Sequence, residues 1–239
     1  MAKLFAVLVL IWAGKASSQT LFSDNFDGTV LDANKWNTSA PFLDSTLSMQ
    51  DGYLSSLNRG IAITKDGFSV GYTVSGSFSL NSFYDIFNIT LRSDGQITPD
   101  LPPGMFGSVN GVTVGFWGGY GNGTPTGFGW VWADEYGTVN DGHLWTTDLV
   151  IGEKTIRTFS IFDSGSSLTV SVDNQQLFSV ATTFAPGDKI AIHGTASGPN
   201  LNPGRVDIFG IQVVPEPSSL SLLLASGAAF GAARRRRSV

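Results

Sequence analysis

The chain of 239 residues carries three glutamates, Glu135, Glu153 and Glu216, and two histidines, His143 and His193, but no cysteine. Those few groups bound the chemistry available to it. Retaining glycoside hydrolysis needs two carboxyls about 5–5.5 Å apart on facing positions. Asp134 and Glu135 form the nearest acidic cluster, with Asp141 beyond it. Adjacent residues of a strand point to opposite faces, so Asp134 and Glu135 do not make a facing pair. A thiol nucleophile is excluded, and no Gly-x-Ser-x-Gly elbow is present. His193 ends the run Ile190-Ala191-Ile192-His193 and reads as a structural or exposed strand-end residue. His143 follows Asp141-Gly142 and stands where it could line a binding surface.

The richer signal is aromatic. Between Val114 and Trp145 fall Phe116, Trp117, Tyr120, Phe128, Trp130, Trp132, Tyr136 and Trp145. Phe128, Trp130 and Trp132 alternate and would share one face of a strand. Indoles stack on sugar rings, while carboxylates, amides and imidazoles satisfy sugar hydroxyls. Trp130, Trp132, Asp134, Asn140 and His143 are therefore the candidate ligand-binding set, on a concave sheet. The same alternation fits a sandwich core, and both readings stand at this level.

These residues must be positioned by β-structure. The chain is rich in Ser, Thr, Val, Ile, Phe and Gly, and it shows period-2 alternation rather than a long helical period. Phe68 to Val74 alternates. Tyr84 to Leu91 sets Ile86, Asn88 and Thr90 opposite Phe87, Ile89 and Leu91. Leu168, Val170 and Val172 share a face, Asp173-Asn174 turns the chain, and Gln176 to Val180 returns as a hairpin. Arg205 to Val213 reads as the last strand. Strict alternation there puts Val206, Ile208, Gly210 and Gln212 on one face, and Phe209, Ile211 and Val213 on the other. Asp-Gly and Asn-Gly turns recur between such runs, at 51–52, 66–67, 94–95, 110–111, 122–123 and 141–142. Ten or more short strands with turns at this density predict an all-β, two-sheet antiparallel sandwich or jelly roll.

Both ends look like addresses rather than core. Lys3, the apolar run Leu4 to Ala13, and the small residues Ala16 and Ser18 make residues 1–18 a signal peptide helix, with the mature start near Gln19. Residues 19–214 are then one domain, with 8 Lys and Arg against 18 Asp and Glu, or about −10. That charge excludes nucleic acid as a partner. It also disfavours docking of the domain on anionic membrane surfaces.

The run Phe22-Ser23-Asp24-Asn25-Phe26-Asp27-Gly28, with Leu31-Asp32 and Lys35-Trp36, resembles the first strand of concanavalin A-like, laminin-G-like jelly rolls. Asp51-Gly52-Tyr53-Leu54 resembles their second strand. The hairpin at 168–180 and the run Arg205 to Val213 resemble their last strands. That superfamily contains laminarinase-type glycoside hydrolases and carbohydrate-binding modules. Its enzymes carry two glutamates on one strand in a Glu-x-Asp-x-x-Glu run, which this chain lacks. The resemblance also implies a structural Ca2+ between first and last strands, here at Asp24, Asn25 and Asp207. No other cofactor is expected.

Residues 215–239 have three parts: Pro215-Glu216-Pro217, an apolar helix from Leu220 to Ala233, and Arg234, Arg235, Arg236 and Arg237. The order resembles the PEP-CTERM sorting signal. That resemblance implies recognition of Pro-Glu-Pro by an exosortase and transient inner-membrane anchoring, with the arginines as a cytoplasmic stop. It implies release to the surface or matrix of a Gram-negative, exopolysaccharide-producing bacterium. A permanent tail anchor is the alternative. The expected function is non-catalytic binding or organising of extracellular polysaccharide. Behind it stand a structural biofilm-matrix protein without a defined ligand, and a diverged glycoside hydrolase or lyase.

Overall fold

The computed structural model describes residues 20–41, 45–50, 52–97, 109–120, 128–136, 142–196 and 204–216. The expected signal and tail helices lie outside the described residues. Within them the structure is strand, turn and bend, and no helix is long and apolar enough to cross a membrane.

The chain begins with β1 (Phe22–Asp24), β2 (Trp36–Ser39), β3 (Thr46–Gln50), β4 (Tyr53–Leu57) and β5 (Ile61–Thr64). It continues through β6 (Tyr72–Leu80), β7 (Asp85–Ser93), β8 (Gly111–Tyr120), β9 (Phe128–Tyr136) and β10 (Gly142–Asp148). The last five are β11 (Arg157–Asp163), β12 (Ser167–Val172), β13 (Gln175–Ala181), β14 (Lys189–Ala196) and β15 (Arg205–Pro215). One sheet runs β13-β12-β11-β6-β15-β4-β3, with β1 added on β15. The other runs β10-β9-β8-β7-β14-β5-β2. All strand pairs are antiparallel, as the alternation predicts.

The two sheets meet on an aromatic centre. Phe78 of the first sheet lies 4.6 Å from Phe87 and 5.1 Å from Phe116 of the second, and Phe159 closes the group at 5.4 Å from Phe87. Around it pack Val74, Ile161, Val170, Val206 and Ile208 from one side, and Ile89, Leu91, Val114, Val131 and Ile192 from the other. Non-polar area withdrawn from water on this scale is the main stabilising term, about 25 cal/mol per Å2. At the sandwich end, Arg92 of β7 reaches Asp163 of β11. Its Nε and Nη2 bond the two carboxylate oxygens at 2.8 and 2.5 Å, and Nη1 reaches the carbonyls of Thr182 and Phe184. Both side chains are buried.

The β12–β13 hairpin forms as expected, with Asp173 and Asn174 at φ 49° and 64°. Two positive φ values match the right-handed twist of the flanking strands. Two expectations need correction. The stretch Phe68 to Val70 is not strand; β6 starts at Tyr72, after Gly71 turns at φ +88°. In β15 a bulge between Ile208 and Gly210 shifts the phase. Val206 and Ile208 face the core before it, Ile211 and Val213 after it, and Gln212 is exposed. An extra residue in one strand reverses the alternation beyond it.

Candidate functional site

The second sheet is buried on both faces along its central strand. Every residue of β7 from Asp85 to Ser93 is buried. Phe87, Ile89 and Leu91 enter the core. Ile86, Asn88 and Thr90 point outward, and strand pairing extends each of them into a rung across the sheet. One rung is Thr195, Ile86, Trp117, Trp130 and Asp148. The next is Ile61, His193, Asn88, Gly115, Trp132 and Thr146. The third is Ile63, Ala191, Thr90, Thr113 and Asp134. Directly opposed residues share a face, so these three rungs make up the outer surface.

Trp130 and Trp132 thus lie on the same face, as their spacing predicts, yet they differ. Trp132 is 5% exposed and packs with Trp117 and Ile86 in a small cluster separate from the main core. Its indole crosses Gly115: a Cβ there would fall 2.0 Å from Cζ2. Only glycine leaves that space. Trp130 is 37% exposed, and its ring centroid is 4.6 Å from that of buried Trp117. Core and surface readings of the aromatic run are therefore divided between neighbours two residues apart. Trp145 is also exposed, but it stands opposite Ala133, a core residue, on the far side of the edge strand from Trp130.

The polar residues of this face are mostly sequestered. Asp134 accepts the Tyr136 hydroxyl at 2.9 Å. Glu135 is turned the other way, where the Thr182 hydroxyl donates to it. The outward residues of β9, Trp130, Trp132, Asp134 and Tyr136, hold a single carboxylate. Thr90 and Thr113 share a hydrogen bond of 2.8 Å. Arg59 donates from Nε to Thr195 at 3.3 Å. Burial, and then the Arg59 charge, push the His193 pKa down to about 3, so its imidazole is neutral. Asn88 is fully buried, and its carboxamide has no hydrogen-bonding partner among the described residues. Sequence reading grouped Asn88 with Ile86 and Thr90 but left it out of the ligand-binding set. It left out Arg59, Trp117 and Thr195, whose relevance comes from the rungs.

Of the other expected site residues, Asn140, Pro217 and Arg234 to Arg237 lie outside the described residues. His143 stands opposite Asp134 in the backbone register. The Ca2+ ligands do not converge. Asp24 pairs with Ile211, whereas Asp207 lies four residues away on β15, roughly 13 Å along the strand. Asp24 accepts the Trp36 indole at 2.8 Å and the Phe26 amide at 3.0 Å. Asn25 bonds Asp27, and Asp207 is paired with Arg205 at 3.0 Å. Calcium takes six to eight oxygens in one shell, and these three residues do not fit it. No group of three or more metal-ligating side chains occurs among the described residues.

The tail meets the fold at Pro215, which pairs with Tyr72 as the last residue of β15. Glu216 follows, its amide donating to the Gly71 carbonyl at 2.9 Å. Residues 213–237 match the model of the PEP-CTERM protein-sorting motif. The chain carries an exosortase sorting tail. The described sandwich preceding that tail has the concanavalin A-like jelly-roll fold. The β-glucanase of Bacillus licheniformis is 12% identical with TM-score 0.58, over 84% of this chain and 100% of that one. A β-1,3-glucanase of Mycobacterium marinum is 14% identical with TM-score 0.56, over 82% and 99%. A pseudo β-1,3-glucanase of Mycobacterium tuberculosis is 16% identical with TM-score 0.50, over 83% and 99%. A search of curated proteins gave no match.

Proposed function

We propose that this exported, exosortase-sorted protein is a non-catalytic carbohydrate-binding sandwich that takes an extracellular polysaccharide at Trp130. Residues 1–18 act as its signal peptide, and the tail delivers it to the surface or matrix of a Gram-negative cell. The observation that carries the binding reading is the exposed indole of Trp130, packed against buried Trp117 of the neighbouring strand. A large apolar face that is rigid and open to solvent suits the C–H face of a sugar ring. Asp148, next to Trp130 in its rung, is exposed and offers acceptors for sugar hydroxyls.

Hydrolysis is not part of the reading. The outer face of β9 holds one carboxylate, Asp134, which is engaged by Tyr136, and Glu135 faces away. The usual retaining and inverting courses use two carboxyls within about 10 Å of each other, and Asp148, the other carboxylate of this face, is paired with Trp130, four residues along β9 from Asp134 or roughly 13 Å. Fold neighbours named as glucanases favour carbohydrate as the ligand class, and the pseudo-glucanase is a neighbour whose name denies it that activity. The test is glycan-array binding of the protein beside a Trp130→Ala variant. Signal from β-glucans or exopolysaccharides that disappears in the variant supports the reading. No signal from the unaltered protein overturns it and leaves a structural matrix protein.

A further inference from the structure

The sorting motif is partly built into the sandwich. β15 continues through Val214 and Pro215, opposite Thr73 and Tyr72 of β6. The Glu216 amide donates to Gly71, and the Thr73 hydroxyl donates to the Glu216 carboxylate. On the other side of β15, the Leu21 amide donates to the Val213 carbonyl at 2.9 Å, so the strand is held from both sides up to that point. Two of the three residues of Pro215-Glu216-Pro217 are thus engaged by the folded domain. Enzymes that read extended peptides use the same backbone edge that strand pairing uses. The Glu216 amide is already committed to a carbonyl and Pro215 is already paired as strand, so the extended backbone of the motif is not free for a second site, although the Glu216 carboxylate itself is exposed.

We propose that Gly71 and the first two residues of β6, Tyr72 and Thr73, form an autoinhibitory clasp on the sorting motif, and that exosortase acts only after residues 214–216 peel away from it. The inference rests on the reading of this tail as an exosortase substrate. Peeling breaks the contacts to Gly71 and Thr73 and leaves the core pairs of β15 from Val206 to Val213 in place. The clasp therefore sets the rate of processing without setting the stability of the domain. Thr73 is a positioning residue that acts through Glu216.

The experiment is pulse-chase processing of the full-length precursor in exosortase-bearing cells, comparing the natural chain, Thr73→Val, and a chain with four Gly-Ser residues inserted between Val214 and Pro215. Losing one charge-assisted hydrogen bond should raise the open fraction about tenfold. Processing should quicken by up to that factor in Thr73→Val and at least as much in the insertion chain. Hydrogen exchange at the Glu216 amide reads the clasp independently. It should be protected in the natural chain and about tenfold faster in Thr73→Val, with β12–β13 amides unchanged. Equal processing rates in all three chains, with the natural chain processed, overturn the clasp alone. Absence of processing in every chain overturns the clasp together with the sorting reading.

Discussion

Trp117 lies beside Trp130 on the neighbouring strand, with ring centroids 4.6 Å apart and planes inclined by 53°, the one buried and the other open to solvent. The pair fixes a surface indole that would otherwise sample several rotamers. A pre-oriented aromatic loses less entropy on binding. Trp130→Ala should cost about 1–2 kcal/mol, since much of the indole is covered by its packing on Trp117. It should weaken polysaccharide binding by roughly 10- to 100-fold, the scale of an aromatic anchor. Affinity and melting temperature measured on the same variant check both halves.

Trp132 should behave in the opposite way. It is nearly buried and fills the space over Gly115. Trp132→Ala should cost about 3–5 kcal/mol through the cavity it leaves, and Gly115→Ala should also destabilise because its Cβ would meet the indole. Thermal unfolding separates these from Trp130→Ala.

The Arg92–Asp163 pair ties the two sheets together at one end. Removing one member leaves the other charge buried without its counter-ion, a loss of about 3–5 kcal/mol. Asp163→Ala should lower the melting temperature by roughly 10 °C for a domain of this size. A double replacement by apolar residues should recover much of that loss, which a double-mutant cycle would detect.

His193 and Asp85 give opposite pH dependences. The His193 pKa falls from 6.5 to about 3 through burial and the Arg59 charge. Between those values the unfolded chain binds a proton that the native chain refuses, so stability is lost as pH drops below 6.5. The full effect is of order 5 kcal/mol, and His193→Gln should abolish it in pH-dependent denaturation curves.

Burial raises the Asp85 pKa from 3.8 to about 6, although the Ser82 amide bonds its carboxylate. Here the native chain holds the extra proton between 3.8 and 6. The stabilisation is present below 3.8 and lost as pH rises through 6. Asp85→Asn should therefore stabilise the protein at pH 7, by up to about 3 kcal/mol, and the gain should vanish near pH 4. The difference in melting temperature between variant and parent, followed across that range, checks the sign.

Much of the fold was legible because local signals agreed with tertiary ones. Phe87, Ile89 and Leu91 alternate in sequence and enter the core in space. Asp173-Asn174 names its own turn. The phase of β15 was not legible, because a bulge at Ile208–Gly210 leaves no mark in the period. The site was half legible. Spacing alone puts Trp130 and Trp132 on one face. Which of them is buried depends on Gly115 and Trp117, contributed by the neighbouring strand. Arg59 and Thr195 meet across 136 residues of chain, a register no local pattern encodes. Asp24 and Asp207 show the converse: residue types that suit a cation were separated by the pairing of β1 with the far half of β15.

The central claim is binding without hydrolysis, and retention of soluble β-glucan or exopolysaccharide on the immobilised protein, followed by reducing-end analysis of the same polysaccharide, tests it most directly. The account predicts retention that depends on Trp130 and no new reducing ends after prolonged incubation. New reducing ends that disappear in Asp134→Asn would contradict it and make Asp134 a catalytic residue.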